Sequence, residues 1–189
     1  MSLVDQNLLV LQQVKSFLAN DFDILDAGGS PVATIHTEGS ALSRMFRGNR
    51  ELAVLENGRP VLRITDEVNV FSRDSYTVAD GSGATLATLT KLFTFATKKI
   101  QADLNDGTVL LCTGSLFARS FTISRGDAVA ARIERRLSGV AEALMGHDRY
   151  ALSMDPSLPP SCRGATIGTV IAIDLIRAKE AAAASSSGS

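Results

Sequence analysis

Reactive side chains are scarce in this sequence. Only two histidines occur, His36 and His147, which excludes a multi-histidine metal site and leaves any Ser-His-Asp arrangement a choice of two bases. Neither sits in a supporting motif, and His147-Asp148 is an isolated pair that reads as a loop contact. There are two cysteines, Cys112 and Cys162, far apart and in no C-x-x-C pair, so they read as buried small hydrophobes rather than a disulfide or metal site. G-x-S-x-G and a Walker lysine after a glycine loop are both missing. Asp103, Asn105 and Asp106 imitate the start of a calcium loop. The glycine comes at position five instead of six, however, and Gly114 stands where a bidentate Glu is needed. No metal or cofactor is therefore expected.

Excess charge is lacking too: a net charge of −1 argues against broad binding to nucleic acid, which takes a clearly basic face. The N-terminus lacks a basic stretch followed by an apolar one, since Asp5 and Gln6 interrupt it, and a cytoplasmic location is the expectation. A run long enough to cross a membrane is missing as well. The longest apolar segment, 159–178, has only ten uncharged residues in succession (164–173), where about 20 are needed to span hydrocarbon.

What the sequence does have is hairpins. With 189 residues, 45 % of them hydrophobic, it can bury a sizeable core as one domain. A loose repeat runs along it. Phe22-x-Ile24 precedes Gly28, Leu52-x-Val54 precedes Gly58, Tyr76-x-Val78 precedes Gly81, Ile100-x-Ala102 precedes Gly107, and Phe121-x-Ile123 precedes Gly126. At each anchor a residue and its i+2 neighbour share one face of a strand, which is expected to point inward. Second strands follow each tip at 32–35, 61–64, 84–89, 109–112 and 129–133. Asn57-Gly58 and Asp106-Gly107 are expected to form type I′ turns, with φ > 0 at both central residues. Adding a strand in 7–17 and another from Arg149 to Met154 gives about twelve. Residues 137–144 read as a short helical or irregular connection before the last strand. So many strands call for closure, and a barrel this wide cannot be filled by its own side chains, because eight strands already suffice for a packed interior.

The segment 159–178 is expected to fill it. Its β-branched residues leave a buried strand as a competitor, but its length favours a helix about 30 Å long. Pro159 and Pro160 suit a first turn, Ser161 an N-cap, and Arg177 with Lys179 the C-terminal dipole. Gly164, Gly168 and Ala172 recur every fourth residue and leave a smooth ridge for close strand approach. Gly164, Gly168, Ile171 and Asp174 are thus the expected structural residues, with Asp174 accepting hydrogen bonds from backbone or a basic side chain at the barrel rim. The expectation is a mainly β domain over residues 1–180, a closed barrel of about twelve antiparallel strands around a central apolar C-terminal helix. Residues 181–189 should form a disordered tail.

Basic residues cluster twice. Arg44, Arg47 and Arg50 flank Met45 and Phe46 without an acid, and Lys91, Lys98 and Lys99 bracket Phe93 and Phe95, compositions suited to phosphate or an anionic membrane surface. Arg132, Arg135 and Arg136 are expected on an exposed strand face.

Taken in order, the serial hairpins, Asp148-Arg149-Tyr150-Ala-Leu-Ser, a proline-bearing link and Gly-Thr-Val-Ile-Ala-Ile-Asp174-Leu-Ile resemble the LURP-one-related proteins and, more distantly, the phospholipid scramblases. The resemblance covers about residues 8–178. It implies the tubby-like fold, a twelve-stranded barrel threaded by a C-terminal helix, and a non-enzymatic binding or scaffold domain. The scramblases' acidic calcium-associated segment has no counterpart here beyond Asp148 and Asp155. On this basis Arg44, Arg47, Arg50, Lys98 and Lys99 are the expected ligand-binding residues for an anionic phospholipid headgroup or a protein partner. The domain would sit in the cytoplasm or at the membrane periphery, with no integral span and no nucleic-acid partner. The alternatives are a scramblase-like protein with an inserting C-terminal helix, or a small-ligand carrier or enzyme using His147 or Asp148 at the barrel mouth.

Overall fold

The computed structural model describes residues 2–15, 21–38, 50–67, 75–92, 98–114, 120–137 and 148–186. Among these residues twelve strands close into one antiparallel barrel: β1 (Leu8–Lys15), β2 (Asp21–Leu25), β3 (Pro31–Glu38), β4 (Arg50–Glu56), β5 (Arg59–Glu67), β6 (Ser75–Asp80), β7 (Thr85–Leu92), β8 (Lys98–Leu104), β9 (Val109–Gly114), β10 (Ser120–Arg125), β11 (Ala128–Leu137) and β12 (Asp148–Met154). Each strand pairs with its sequence neighbours, and β12 returns to pair with β1, so no edge is left open. A 3-10 turn, Leu3–Asp5, precedes β1, and a single helix, α1 (Pro160–Ser186), follows β12.

Period-two alternation sets the inward face. The repeat anchors Phe22 and Ile24, Leu52 and Val54, Tyr76 and Val78, Ile100 and Ala102, and Phe121 and Ile123 are all buried. Their partners across each hairpin continue that face. Phe22 lies opposite Ile35, Leu52 opposite Ile64, Tyr76 opposite Leu89, Ile100 opposite Cys112 and Phe121 opposite Ile133.

The lumen is occupied by α1, in which every residue from Cys162 to Ile173 is buried, along with Leu175 and Ile176. The β-branched residues here suit a strand equally well, but closure removes that option. With every strand edge paired, a chain inside an apolar lumen must satisfy its backbone groups internally, and a helix does so. The small residues set how close the wall comes. A Cβ on Gly168 would stand 2.5 Å from Val78 Cγ2, and one on Gly164 would stand 3.0 Å from Leu86 Cδ1. Cys112 and Cys162 are buried free thiols, and burial pushes the Cys112 thiol up to about 12.

The structure departs from the sequence expectations in four places. α1 starts at Pro160, and Arg163 N donates to the Pro159 carbonyl (3.0 Å), so Ser161 lies inside the first turn and does not cap it. The helix runs to Ser186 instead of ending near 178, because alanine, the strongest helix former, fills 181–184. The expected unstructured tail therefore begins no earlier than 187, and Arg177 and Lys179 lie well inside the helix, not at its C-terminal end. Asp106-Gly107 is not a type I′ turn: only Gly107 has positive φ (83°), and Leu104 N bonds Thr108 O across a longer loop, whereas Asn57 (50°) and Gly58 (75°) are both positive. Finally, Arg132 and Arg135 have opposite parity on β11, so they face opposite sides of the wall. The expected connection at 137–144 lies outside the described residues beyond Leu137.

Candidate functional site at one end of the barrel

An up-and-down barrel has two ends, and here they differ. At one end β2–β3, β4–β5, β6–β7, β8–β9 and β10–β11 are joined by short turns, and the link from β12 to α1 lies there as well. Aspartates close these turns. Asp26 Oδ1 accepts from Gly28 N (2.8 Å) and Ser30 N (2.9 Å), Asp80 Oδ1 from Ser82 N (2.8 Å), Ser82 Oγ (2.6 Å) and Ala84 N (3.0 Å). Asp106 Oδ1 accepts from Thr108 N (2.8 Å), and Asp155 Oδ1 from Ser157 N (2.8 Å) and Oγ (2.6 Å). Donors stabilise the ionised form, so the Ser82 hydroxyl holds Asp80, the Thr108 amide Asp106 and the Ser157 hydroxyl Asp155 below the usual carboxylate value.

The same end is sealed by Arg163. The residue is 5 % exposed, and its guanidinium meets neutral acceptors: Nε donates to Leu158 O (3.0 Å) and Nη1 to Gln6 O (2.8 Å), while Nη2 donates to Asn7 Oδ1 (2.7 Å), Pro156 O (3.0 Å) and Asp155 O (3.2 Å). Beside it Leu3 is fully buried, and Ser2 Oγ and Leu3 N donate to Glu56 Oε2 (3.2 and 3.3 Å).

At the other end the chain between strands is longer, and α1 emerges. Three contacts hold the helix to the rim. Tyr150 Oη donates to Asp174 Oδ1 (3.0 Å) and accepts from Arg177 Nη1 (2.7 Å). Lys179 Nζ donates to Asp66 Oδ1 (2.7 Å) and lies 5.3 Å from the Tyr76 ring centroid. Lys91 Nζ donates to Glu180 Oε1 (3.1 Å). Asp174 thus finds its donor at the rim in a tyrosine hydroxyl. Asp66 and Glu180 are not among the sequence expectations, although Asp66 is detectable: it continues the inward phase of Leu62 and Ile64, where an acid calls for a buried partner.

The expected ligand residues fall at this end as far as they can be located. Arg50 opens β4 and Lys98 opens β8; Lys99 is half-buried between Leu92 and Thr113. Strands β4 and β8 are four apart in the ring, so the two groups share an end but not a strand pair. Arg44 and Arg47 lie outside the described residues, in the chain that leaves β3 and enters β4 at this end. His147 also lies outside them, and Asp148 opens β12. Among the described residues no group of three or more His, Cys, Asp or Glu is placed to hold a metal ion. The cleft lined by Leu11, Phe22, Ile35, Tyr150, Val170, Ile171 and Asp174 is about 10 Å³, room for a single water.

The family described as LURP-one-related matches residues 6–174, the entire barrel and most of the buried part of α1. The chain belongs to the LURP-one-related family. The twelve-stranded closed barrel around a C-terminal helix is the architecture that the resemblance implied for a LURP-one-related chain. No curated protein and no solved structure matches this LURP-one-related sequence.

Proposed function

We propose that this domain is a non-enzymatic binding module that recognises anionic phospholipid headgroups through Arg44, Arg47, Arg50, Lys98 and Lys99. The observation that carries the reading is topological. Arg50, Lys98 and Lys99 stand at strand starts on one end of the barrel, and the stretch with Arg44 and Arg47 connects two strands at that end. Basic side chains near an anionic surface contribute about 1 kcal/mol each. The filled lumen supports a surface site over a carrier with an interior ligand. It also disfavours the inserting-helix reading, because withdrawing α1 would strip the barrel of its core. Among the described residues no helix is long and apolar enough to cross a membrane. Such a module would act at the cytoplasmic periphery of a membrane.

Flotation with phosphatidylcholine vesicles, with and without phosphatidylserine, tests this. Binding should require the anionic lipid, weaken with salt, and fall about 30-fold in R44A/R47A, from about 2 kcal/mol lost. Absence of flotation at low salt, or undiminished binding by that variant and by R50A/K98A/K99A, would overturn it. Salt-resistant binding would favour insertion instead, and salt-sensitive capture of a protein with no vesicle binding would favour a protein partner.

A further inference from the structure

We infer that a groove on the outer wall of the barrel, between β11 and β12 at the end with the short turns, docks an extended segment of a partner protein that presents an aliphatic side chain next to an Asp or Glu. The groove is separate from the headgroup reading and uses none of its residues. A bulge creates it. Ser124 pairs with Val129 and Ile123 with Ala131, which leaves Ala130 as an extra residue in β11. The ladder to β12 then ends at Ala131 and Met154, and Asp155 N donates to Ala130 O (2.9 Å) just past the end of β12. Ala130, Ala131 and Met154 are buried and form the floor, where two consecutive alanines leave space that larger side chains would fill. Arg132 and Ser153, direct cross-strand partners, stand at one end of the groove, and Val129 and Asp155 at the other.

Size selects the kind of occupant. The groove encloses about 150 Å³, well short of the roughly 300–1,000 Å³ of sites that enclose a free small molecule. It suits one aliphatic side chain and the polar group beside it, delivered by a larger partner. Main-chain addition to the sheet is closed off, because the barrel has no free edge, so recognition falls to side chains. Leu8 pairs with Ser153 and continues the row that Arg132 starts. Among the described residues the exposed large hydrophobic side chains are Leu8 (37 %), Val129 (40 %) and Val109 (46 %), and all three lie on the arc of neighbouring strands β9, β10, β11, β12 and β1. Apolar exposure is therefore concentrated where the groove is.

Charge selects the polar group. Arg132 is exposed and, among the described residues, holds no carboxylate. Glu134, two residues on along β11 and away from the groove, makes no ion pair with it. Asp155, the acid in the groove, is occupied, because its Oδ1 accepts from Ser157 N and Oγ. Arg125 lies close enough to Asp106 and Asp155 to add to the Thr108 amide and the Ser157 hydroxyl in keeping both ionised. Arg132 is thus the unsatisfied charge facing the groove, and a carboxylate is its complement. A planar anionic bilayer would also meet Asp26, Asp80, Asp106 and Asp127 at this end, whereas one side chain need meet only Arg132.

Positional-scanning libraries of fluorescein-labelled hexapeptide amides, read by fluorescence polarisation, test this. The full chain should select Asp or Glu beside Leu, Ile or Val, with binding that weakens in salt. Arg132→Ala should weaken the selected peptide at least about tenfold, the loss of one charge-assisted contact. Arg132→Glu should turn the selection toward Lys or Arg, a reversal that misfolding does not imitate, and Ser153→Phe should abolish binding by filling the groove. Arg59→Ala, at another turn, should bind as the parent does, and flotation of Arg132→Glu with anionic vesicles should match that of the parent. Absence of selection, selection unaltered in Arg132→Glu, or undiminished binding by Ser153→Phe would overturn the docking site and leave headgroup recognition standing. Dimerisation of the chain that Arg132→Glu abolishes would overturn it in favour of a second copy, and vesicle binding lost in that variant would overturn it in favour of a membrane.

Discussion

Replacing Gly168 by alanine adds one methyl group where the wall of the barrel already touches the helix. The new Cβ would sit 2.5 Å from Val78 Cγ2 and 3.1 Å from Cγ1, against the 3.4 Å and more of ordinary contact. Val78 cannot give way easily. It is fully buried in the middle of β6, paired on both sides, and its branched Cβ leaves it few rotamers. Overpacking of this kind costs about 1–3 kcal/mol, while Gly→Ala inside a helix returns about 1 kcal/mol of propensity. The net expectation for G168A is a loss of up to about 2 kcal/mol, a fall in Tm of up to roughly 8 °C for a domain this size. G168L should not fold. Urea unfolding followed by far-UV circular dichroism measures the effect, and Val78→Ala in the same chain supplies the control. Removing two methyls from Val78 should cost about 1.6 kcal/mol alone, yet G168A should then cost nothing further, because the alanine methyl occupies the vacated space. If G168A alone is more stable than the parent by the helix-propensity gain, Gly168 does not face β6 and the placement of the helix in the barrel is wrong.

Arg163→Met retains bulk but removes the donors that five acceptors share, and should cost about 3 kcal/mol with faster amide exchange in residues 2–7; an unchanged urea midpoint would contradict the sealing role. Asp80, Asp106 and Asp155 have folded values below 3.8, so their contribution is fully present above that value and is lost as pH falls through the lowered folded values. The D80N/D106N/D155N triple variant should flatten the acid limb of a stability-against-pH curve, and an acid limb identical to the parent's would refute this.

Much of the architecture was legible because barrels repeat one local rule. The five anchor pairs from Phe22 to Ile123 advertise their inward face by spacing alone, and Asn57-Gly58 specifies its turn because only residues tolerant of positive φ fit there. Asp106-Gly107 shows the limit of the dipeptide rule, since the turn type depends on how many residues separate the paired backbone groups of Leu104 and Thr108. The arginines of β11 show another: proximity in sequence put Arg132 and Arg135 together, and pleating places them on opposite sides. The basic residues were visible as clusters, but their distribution around a rim was not, because it follows from the order of strands in the closed ring.

Sequence by itself determined the strand count, the inward face and the need for an apolar element to fill the lumen, since each follows from period-two patterning and the width of a closed sheet. Tertiary structure decided the partners. The pairing of Asp66 with Lys179 spans 113 residues, and that of Arg163 with Asn7 spans 156. Such long-range pairs form where closure of β12 onto β1 and the passage of α1 through the barrel bring distant chain together. Local spacing carries no record of that distance.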